Sequence, residues 1–280
     1  MKVGILRGNS TDLFIPVLKK IPYKLRRFVT IIHTFKNWPL LLQNRFDLFH
    51  NYSKGDELIT ELRSGIKFYF RFRNGEINSI DDVWCEKIQT KYFGIEDGDV
   101  VIDIGANIGA FSIFAAKSSK NVKVFSYEPT PDTFSRLVKN IKINHFENII
   151  HPFQLGIAGK RDKRTLFINP DNSDSNTFYK NFLPNYRNES VQIETITLED
   201  IFKNNNINHC DFLKMDCEGA EYEILFNTSP EYLQKIKKIA LEYHCGRKEI
   251  IDFLKKTGFS IQHKSASNMQ GLIWAENLSR

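Results

Sequence analysis

No Cys-x-x-Cys pair occurs in this chain, and its four cysteines (Cys85, Cys210, Cys217 and Cys245) are scattered. That excludes the usual zinc-ribbon ligand spacings. Cys210 and Cys217 bracket a predicted strand and cannot readily pair, so reduced thiols and a cytoplasmic location are expected. A run of about 18 apolar residues, enough to span a bilayer, is missing too. So is a charged-then-apolar leader at the N-terminus, and a chain that neither crosses a membrane nor is secreted is expected. No internal repeat is visible. Acidic or basic excess is also scarce over most of the length. The formal charge is +6, but residues 1–50 alone carry nine Lys or Arg against Asp12 and Asp47. The remainder is nearly neutral, which argues against a broad polyanion-binding face on it.

What is present is a globular composition, 41% hydrophobic and rich in phenylalanine (23 residues). Its most informative stretch is Val100-Val-Ile-Asp-Ile-Gly-Ala-Asn-Ile-Gly109. A buried strand, 100–104, runs into a tight turn and then a helix from Ile108 to about Lys117. Gly105 permits the sharp turn, and the helix N-terminus offers free N–H groups and partial positive charge. Asp103 falls at the carboxyl end of the strand, where open α/β sheets bind ligands. A second strand, 122–127, ends in Glu128-Pro129, 19 residues after Gly109. An acid at about that distance is placed to accept from both hydroxyls of a ribose. The turn departs from the dinucleotide pattern, because Asn107 stands where the middle glycine would approach a pyrophosphate. A carboxylate and an amide side chain suit a zwitterionic amino-acid tail better than a phosphate, which favours S-adenosyl-L-methionine.

The chain divides into a basic, aromatic, proline-interrupted arm, 1–54, and a body, 55–280. In the arm, Leu25, Phe28, Ile31, Ile32 and Phe35 make one apolar face. Packing of that face on the body is the favoured reading, and contact with an anionic membrane surface or partner stays open. The body opens with strands 57–63 and 67–73 and a helix 81–92, expected to lead into the main sheet. From Val100 strands and helices alternate: strands 100–104, 122–127, 149–155, 210–215 and 236–243, with helices 133–144, 197–204, 219–227 and 247–257. Asp132 is a candidate cap for the first of those helices. A hairpin insertion is expected from 164–168 and 190–195, and strands 259–264 and 271–276 close the chain as an antiparallel pair. This pattern predicts a Rossmann-like α/β sheet with helices on both faces.

Three blocks resemble the FkbM-type family of class I S-adenosylmethionine-dependent methyltransferases: Val101–Gly109, Tyr127-Glu-Pro129, and Asp211-Phe-Leu-Lys-Met-Asp-Cys-Glu-Gly-Ala-Glu221. The third is similar to the family signature D-x-L-K-I-D-V-E-G-x-E. Thr195–Asp200 and Ala240-Leu-Glu-Tyr-His244 add support, and the likeness spans about 65–275 in the expected order. The resemblance implies a seven-stranded, mostly parallel sheet with a terminal antiparallel hairpin. It places Asp103, Gly105, Asn107 and Gly109 at the methionine end of the cofactor, Glu128 at its ribose and Asp216 beside the transferred methyl. It also implies O-methylation of a hydroxyl on a sugar, glycan or small metabolite. RNA methylation through the basic arm, or a non-catalytic scaffold docking on a membrane or partner, are the competing readings.

At the acceptor end, Asp216 either orients or deprotonates the hydroxyl or caps the following turn through the N–H groups of Glu218 and Gly219. Lys214 shares a strand face with Asp216 and needs a partner if buried; that partner is Asp216, or Glu242 or Glu194 as a structural pair. His244 is a candidate base near neutral pH or an ordinary hydrogen-bonded histidine. Glu221 is expected to be structural, at a helix start where acids are favoured. A divalent cation between Asp216 and Glu242 is compatible with the residues and not demanded by them. Arg71 and Arg73 are candidates for an anionic group, and the polar loop 171–176 for acceptor choice.

Overall fold

Four of the five residues of β3 (Val100–Ile104) are Val or Ile, and the whole strand is buried. In the computed structural model it lies inside a seven-stranded sheet, with β4 (Lys123–Tyr127) on one side and β9 (Cys210–Met215) on the other. The structure describes residues 22–46, 52–182, 189–265 and 269–279. The sheet continues outward from β4 to β5 (Ile150–Phe153), and from β9 to β10 (Ile236–Tyr243), β12 (Gly271–Asn277) and β11 (Phe259–Ser265). Every pair from β5 to β10 is parallel, and β12 pairs antiparallel with both β10 and β11. The chain thus winds outward in both directions from β3, and a crevice opens at the carboxyl ends of β3 and β9.

Side chains alternate across β3 and β9 and feed two apolar clusters. Val101 and Phe212 enter one face, with Phe111, Leu137 and Trp274. Ile102, Ile104, Leu213 and Met215 enter the other, with Ile201, Ile224 and Leu254. Helices α4 (Ala110–Ser118) and α5 (Pro131–Ile143) contribute to the first. The second is covered by α6 (Leu198–Asn204), α7 (Glu221–Phe226), the short α8 (Pro230–Leu233) and α9 (Lys248–Lys256). Helix α6 carries the full capping box of Thr197 and Asp200, which satisfies two otherwise orphaned N–H groups. The expected insertion is present as β7 (Asp162–Phe167) antiparallel to β8 (Ser190–Ile196), which also pairs with the short β6 (Gly156–Ile157).

The structure differs from expectation in three places, two of them in the N-terminal region. Strands β1 (Glu57–Glu61) and β2 (Lys67–Arg71) form a separate two-stranded sheet rather than leading into the main one. The next helix, α3, runs Glu76–Trp84 instead of 81–92. It starts early because Glu76, wholly buried, accepts from Arg71 N and pairs with Arg136 on α5. It stops early because Lys87 takes φ 50, which an α-helix cannot continue. Asp132 makes no cap on α5; it pairs with Arg71 and Arg136 instead.

Two arm helices, α1 (Tyr23–Thr34) and α2 (Trp38–Phe46), lie on the body, and Ile31, Phe35 and Leu41 enter the first apolar cluster. Phe35 bridges to Leu62, and Arg27 and Arg45 both reach Asp81 on α3. The basic positions Lys2, Arg7, Lys19 and Lys20 lie outside the described residues. No described helix is long and apolar enough to cross a membrane.

Candidate active site

A cleft of about 280 Å³ opens at the carboxyl ends of β3, β4 and β9. The turn after β3 forms its floor. Gly105 holds φ 73, and a Cβ there would stand 1.8 Å from the carbonyl oxygen of Asp216. The glycine therefore lets the ends of β3 and β9 close on one another. Gly109, φ 90, is needed for a close approach as well: its Cβ would meet Leu137 at 2.6 Å, so it sets the packing of α4 on α5. It does not line the cleft.

Asn107 does. It takes φ 51, a left-handed conformation that asparagine tolerates. Its N–H donates to Glu128 Oε2 at 2.9 Å, and Thr130 N donates to Oε1 at 2.8 Å. Two backbone donors thus fix the Glu128 carboxylate at the tip of β4, with lone pairs to spare. Burial nevertheless raises its pKa, against those hydrogen bonds. The Asn107 Oδ1 atom is buried without a hydrogen-bond partner among the described residues, a cost that a bound donor would remove.

Behind this floor sits a buried charge cluster. Lys214 Nζ donates to Gly105 O at 2.6 Å and lies 3.3 Å from Asp103 Oδ1 and 3.9 Å from Asp216 Oδ2. Burial alone would pull its pKa down; Asp103 and then Asp216 more than offset this and hold it above the ordinary lysine value. Asp103 is fully buried, accepts from Ser112 Oγ at 2.6 Å and does not line the cleft. It bears on the cleft through Lys214, which does line it. Neither Glu242 nor Glu194 is an ion-pair partner of Lys214 among the described residues.

Asp216 projects into the cleft with its side chain about one-third exposed (35%). The turn after β9 is capped by Glu221, not by Asp216: Cys217 N and Gly219 N donate to its two oxygens at 2.9 and 3.0 Å. Glu221 also holds His244 Nδ1 at 3.1 Å. The opposite edge of the ring, Nε2, faces Glu218 Oε2 at 3.5 Å. His244 itself is not on the cleft wall, whereas Glu218 and Glu242 are. Asp216, Glu218 and His244 bring their ligand atoms within 4.8 Å of one another, so the group of three that could share an ion includes Glu218 and His244 and not Glu242. Burial first, then surrounding carboxylates, pushes Glu218 up despite His244.

Sequence reasoning missed the roof. The loop 169–177 folds across the cleft, and Asp174 Oδ1 accepts from Asn107 Nδ2 at 2.5 Å. Ser173 donates to Asn74 O, and Asn176 donates to Thr130 Oγ1 at 3.2 Å. Polarity marks the loop for acceptor choice, but nothing local signals that it docks on a turn 67 residues earlier. Burial, partly countered by Asn107, pushes Asp174 up to about 7. Asn78, Ser79 and Asp82 from α3 also line the cleft, as do the apolar Leu155, Ile157 and Phe178. Arg71 and Arg73 stand outside the lining.

A doubly wound sheet with an antiparallel terminal pair, and a cleft built on an acid-glycine turn with a second acid on the next strand, define a class I Rossmann-like methyltransferase. Residues 103–261 match the family described as the methyltransferase FkbM domain, and the chain belongs to that family. Membership makes S-adenosyl-L-methionine its cofactor. Among similar proteins is the methyltransferase sdnD of Sordaria araneosa, 26% identical over 168 residues, 51% of this chain and 65% of that protein. The hexuronic acid methyltransferase AglP of Haloferax volcanii is 25% identical over 178 residues, 61% of this chain and 70% of its own length. A tRNA (guanine(37)-N(1))-methyltransferase of Candida albicans is 34% identical over 126 residues, 45% of this chain but 25% of that protein.

Proposed function

We propose that the chain transfers a methyl group from S-adenosylmethionine to a hydroxyl oxygen of a small polar acceptor, a sugar, glycan or metabolite. The observation that carries this is the charge of the cleft. Asp82, Glu128, Asp174, Asp216, Glu218 and Glu242 line it, with Lys214 as the single Lys or Arg in the lining among the described residues. Such a wall attracts a sulfonium cation and repels a phosphodiester acceptor. The relatives include both a hexuronic acid methyltransferase and a tRNA methyltransferase; the acid lining disfavours a polyanionic acceptor of the second kind.

The residues present fit the cofactor. Glu128 would accept from the ribose hydroxyls, and Leu155, Ile157 and Phe178 would offer apolar surface to the adenine. Asn107 Oδ1, buried and unpartnered, and the Asp174 carboxylate receive the ammonium of the methionine tail. S-adenosylmethionine held there would supply an electrophilic methyl carbon, with its sulfur as the leaving group. Asp216 faces the acceptor side of the cleft, orients the hydroxyl and takes its proton. Lys214, held by Asp103 and Gly105 O, stands 3.9 Å from Asp216 and helps to hold it in place.

Titration calorimetry with S-adenosylhomocysteine, followed by transfer of a tritiated methyl group to fractionated extracts, tests this. The expected result is saturable binding and label in the glycan or small-metabolite fraction. No heat at high ligand concentration would remove the cofactor reading and leave a scaffold; label in RNA alone would overturn the acceptor class.

A further inference from the structure

The geometry points to a divalent-cation site made by Asp216, Glu218 and His244, on which the acceptor oxygen would be held. The three ligand atoms lie within 4.8 Å of one another, a spacing one ion can bridge. Two independent features separate this group from a chance cluster of acids. The first is His244, whose side chain is only 7% exposed and whose Nε2 is buried with no hydrogen-bond partner among the described residues. The second is its other nitrogen. Nδ1 meets the wholly buried Glu221 at 3.1 Å, and both Glu221 oxygens are already committed to backbone N–H groups. A carboxylate gripping the far side of an imidazole is the arrangement that orients histidine toward metals.

Glu218 adds a third sign. It is held at φ 50, and its carbonyl is pinned by Thr177 Oγ1 at 2.6 Å. Strain of this kind in a non-glycine residue persists where surrounding structure enforces it, and it collects at functional sites. Here it keeps the Glu218 carboxylate facing Nε2. Neighbouring Glu242 adds negative charge on the same wall. Two carboxylate oxygens with one imidazole suit Mn²⁺, Fe²⁺ or Zn²⁺ better than Ca²⁺. Three protein donors leave positions open toward the cleft, which fits an acceptor that offers a hydroxyl with a second oxygen adjacent.

The inference rests on the acceptor side proposed above, but its test does not depend on turnover. Metal-stripped full-length protein is titrated with Mn²⁺ alone and followed by electron paramagnetic resonance. Calorimetry with S-adenosylhomocysteine on the same samples reports the integrity of the fold. One Mn²⁺ per chain is expected, with electron spin-echo modulation from an imidazole nitrogen. His244→Ala and Glu218→Gln should each weaken Mn²⁺ binding at least tenfold while nucleoside binding persists, and Glu221→Gln about 10–100-fold by loosening the ring. Protein that binds the nucleoside but takes up no Mn²⁺ would overturn the site. So would binding unchanged in both His244→Ala and Glu218→Gln, or modulation without nitrogen. Mn²⁺ uptake through His244 in a chain that ignores the nucleoside would uphold the ion and sink the methyl-transfer reading instead.

Discussion

Glu128 and Asp216 divide the work of the cleft in a way single substitutions can separate. Glu128 is tied to two backbone N–H groups and is proposed to hold the ribose, so Glu128→Ala should weaken S-adenosylhomocysteine binding by about 1–3 kcal/mol, read by calorimetry. Unchanged affinity would take Glu128 out of the site. Asp216 caps nothing, and Asp216→Asn should leave that affinity nearly intact while methyl transfer falls by about 10²–10⁴-fold, the usual worth of a positioned base. Wild-type turnover would end its role. Lys214 is the third case. Its removal strands the carboxylate of Asp103 in a site with no exposure, and breaking one side of a buried pair costs about 3–5 kcal/mol. Lys214→Met should therefore lower the urea midpoint sharply, and Asp103→Asn added to it should restore much of the loss. A stable single variant would mean that Lys214 serves the chemistry and not the frame.

The strand-turn-helix around Gly105 was legible in the sequence because each piece leaves a local mark: a Val/Ile run, a glycine and an apolar helix. Other elements leave none. Helix α3 is bounded by a pairing with Arg136 on a distant helix and by the backbone sign at Lys87, neither of which is visible in composition. The sequence left Asp216 open between handling the acceptor and capping the turn after β9; the cap falls to Glu221, which takes Cys217 N and Gly219 N, because spacing alone does not say which carboxylate reaches those N–H groups. The roof loop is the largest miss, since Asp174 meets Asn107 through tertiary folding alone. Its titration gives the element a signature. The carboxyl is raised from 3.8 to about 7 by burial, against the Asn107 hydrogen bond and with Glu76 and Asp216 adding to the rise. Between those values the native chain keeps a proton that the unfolded chain has lost, so stability falls as pH rises through the window. The partial exposure of Asp174 screens the effect below the nominal 1.4 kcal/mol or so per unit. Wild-type protein should melt lower at pH 7 than at pH 5 by more than Asp174→Asn does. Because the ammonium of the ligand's zwitterionic tail, placed at Asp174, favours the ionised form, S-adenosylhomocysteine binding near pH 6 should release protons. Calorimetry in buffers of different ionisation heat measures that release, and an equal count in Asp174→Asn would disconnect the loop from the ligand.

Charge at the scale of the molecule is segregated, and the segregation bears on the acceptor. The chain carries +6, yet the cleft is walled by six carboxylates and one lysine. The described cations of the arm are largely spent on the body: Arg27 on Asp81 and Asp82, Arg45 on Asp81, Lys36 on Glu61. An RNA acceptor would have to bring phosphates to the acid wall while the arm held its backbone elsewhere. Binding of that kind loses affinity as counterions are released, by about 10³–10⁵-fold between 50 and 200 mM salt for 6–10 phosphate contacts. A neutral or singly charged hydroxyl acceptor has no such dependence. Methyl transfer into the glycan and metabolite fractions is therefore expected to change by less than about tenfold over that salt range. Any RNA retained through the arm should dissociate without having been labelled. A steep loss of transfer with salt, together with label in RNA at 50 mM, would show that the arm delivers the acceptor and that the acid wall does not select it.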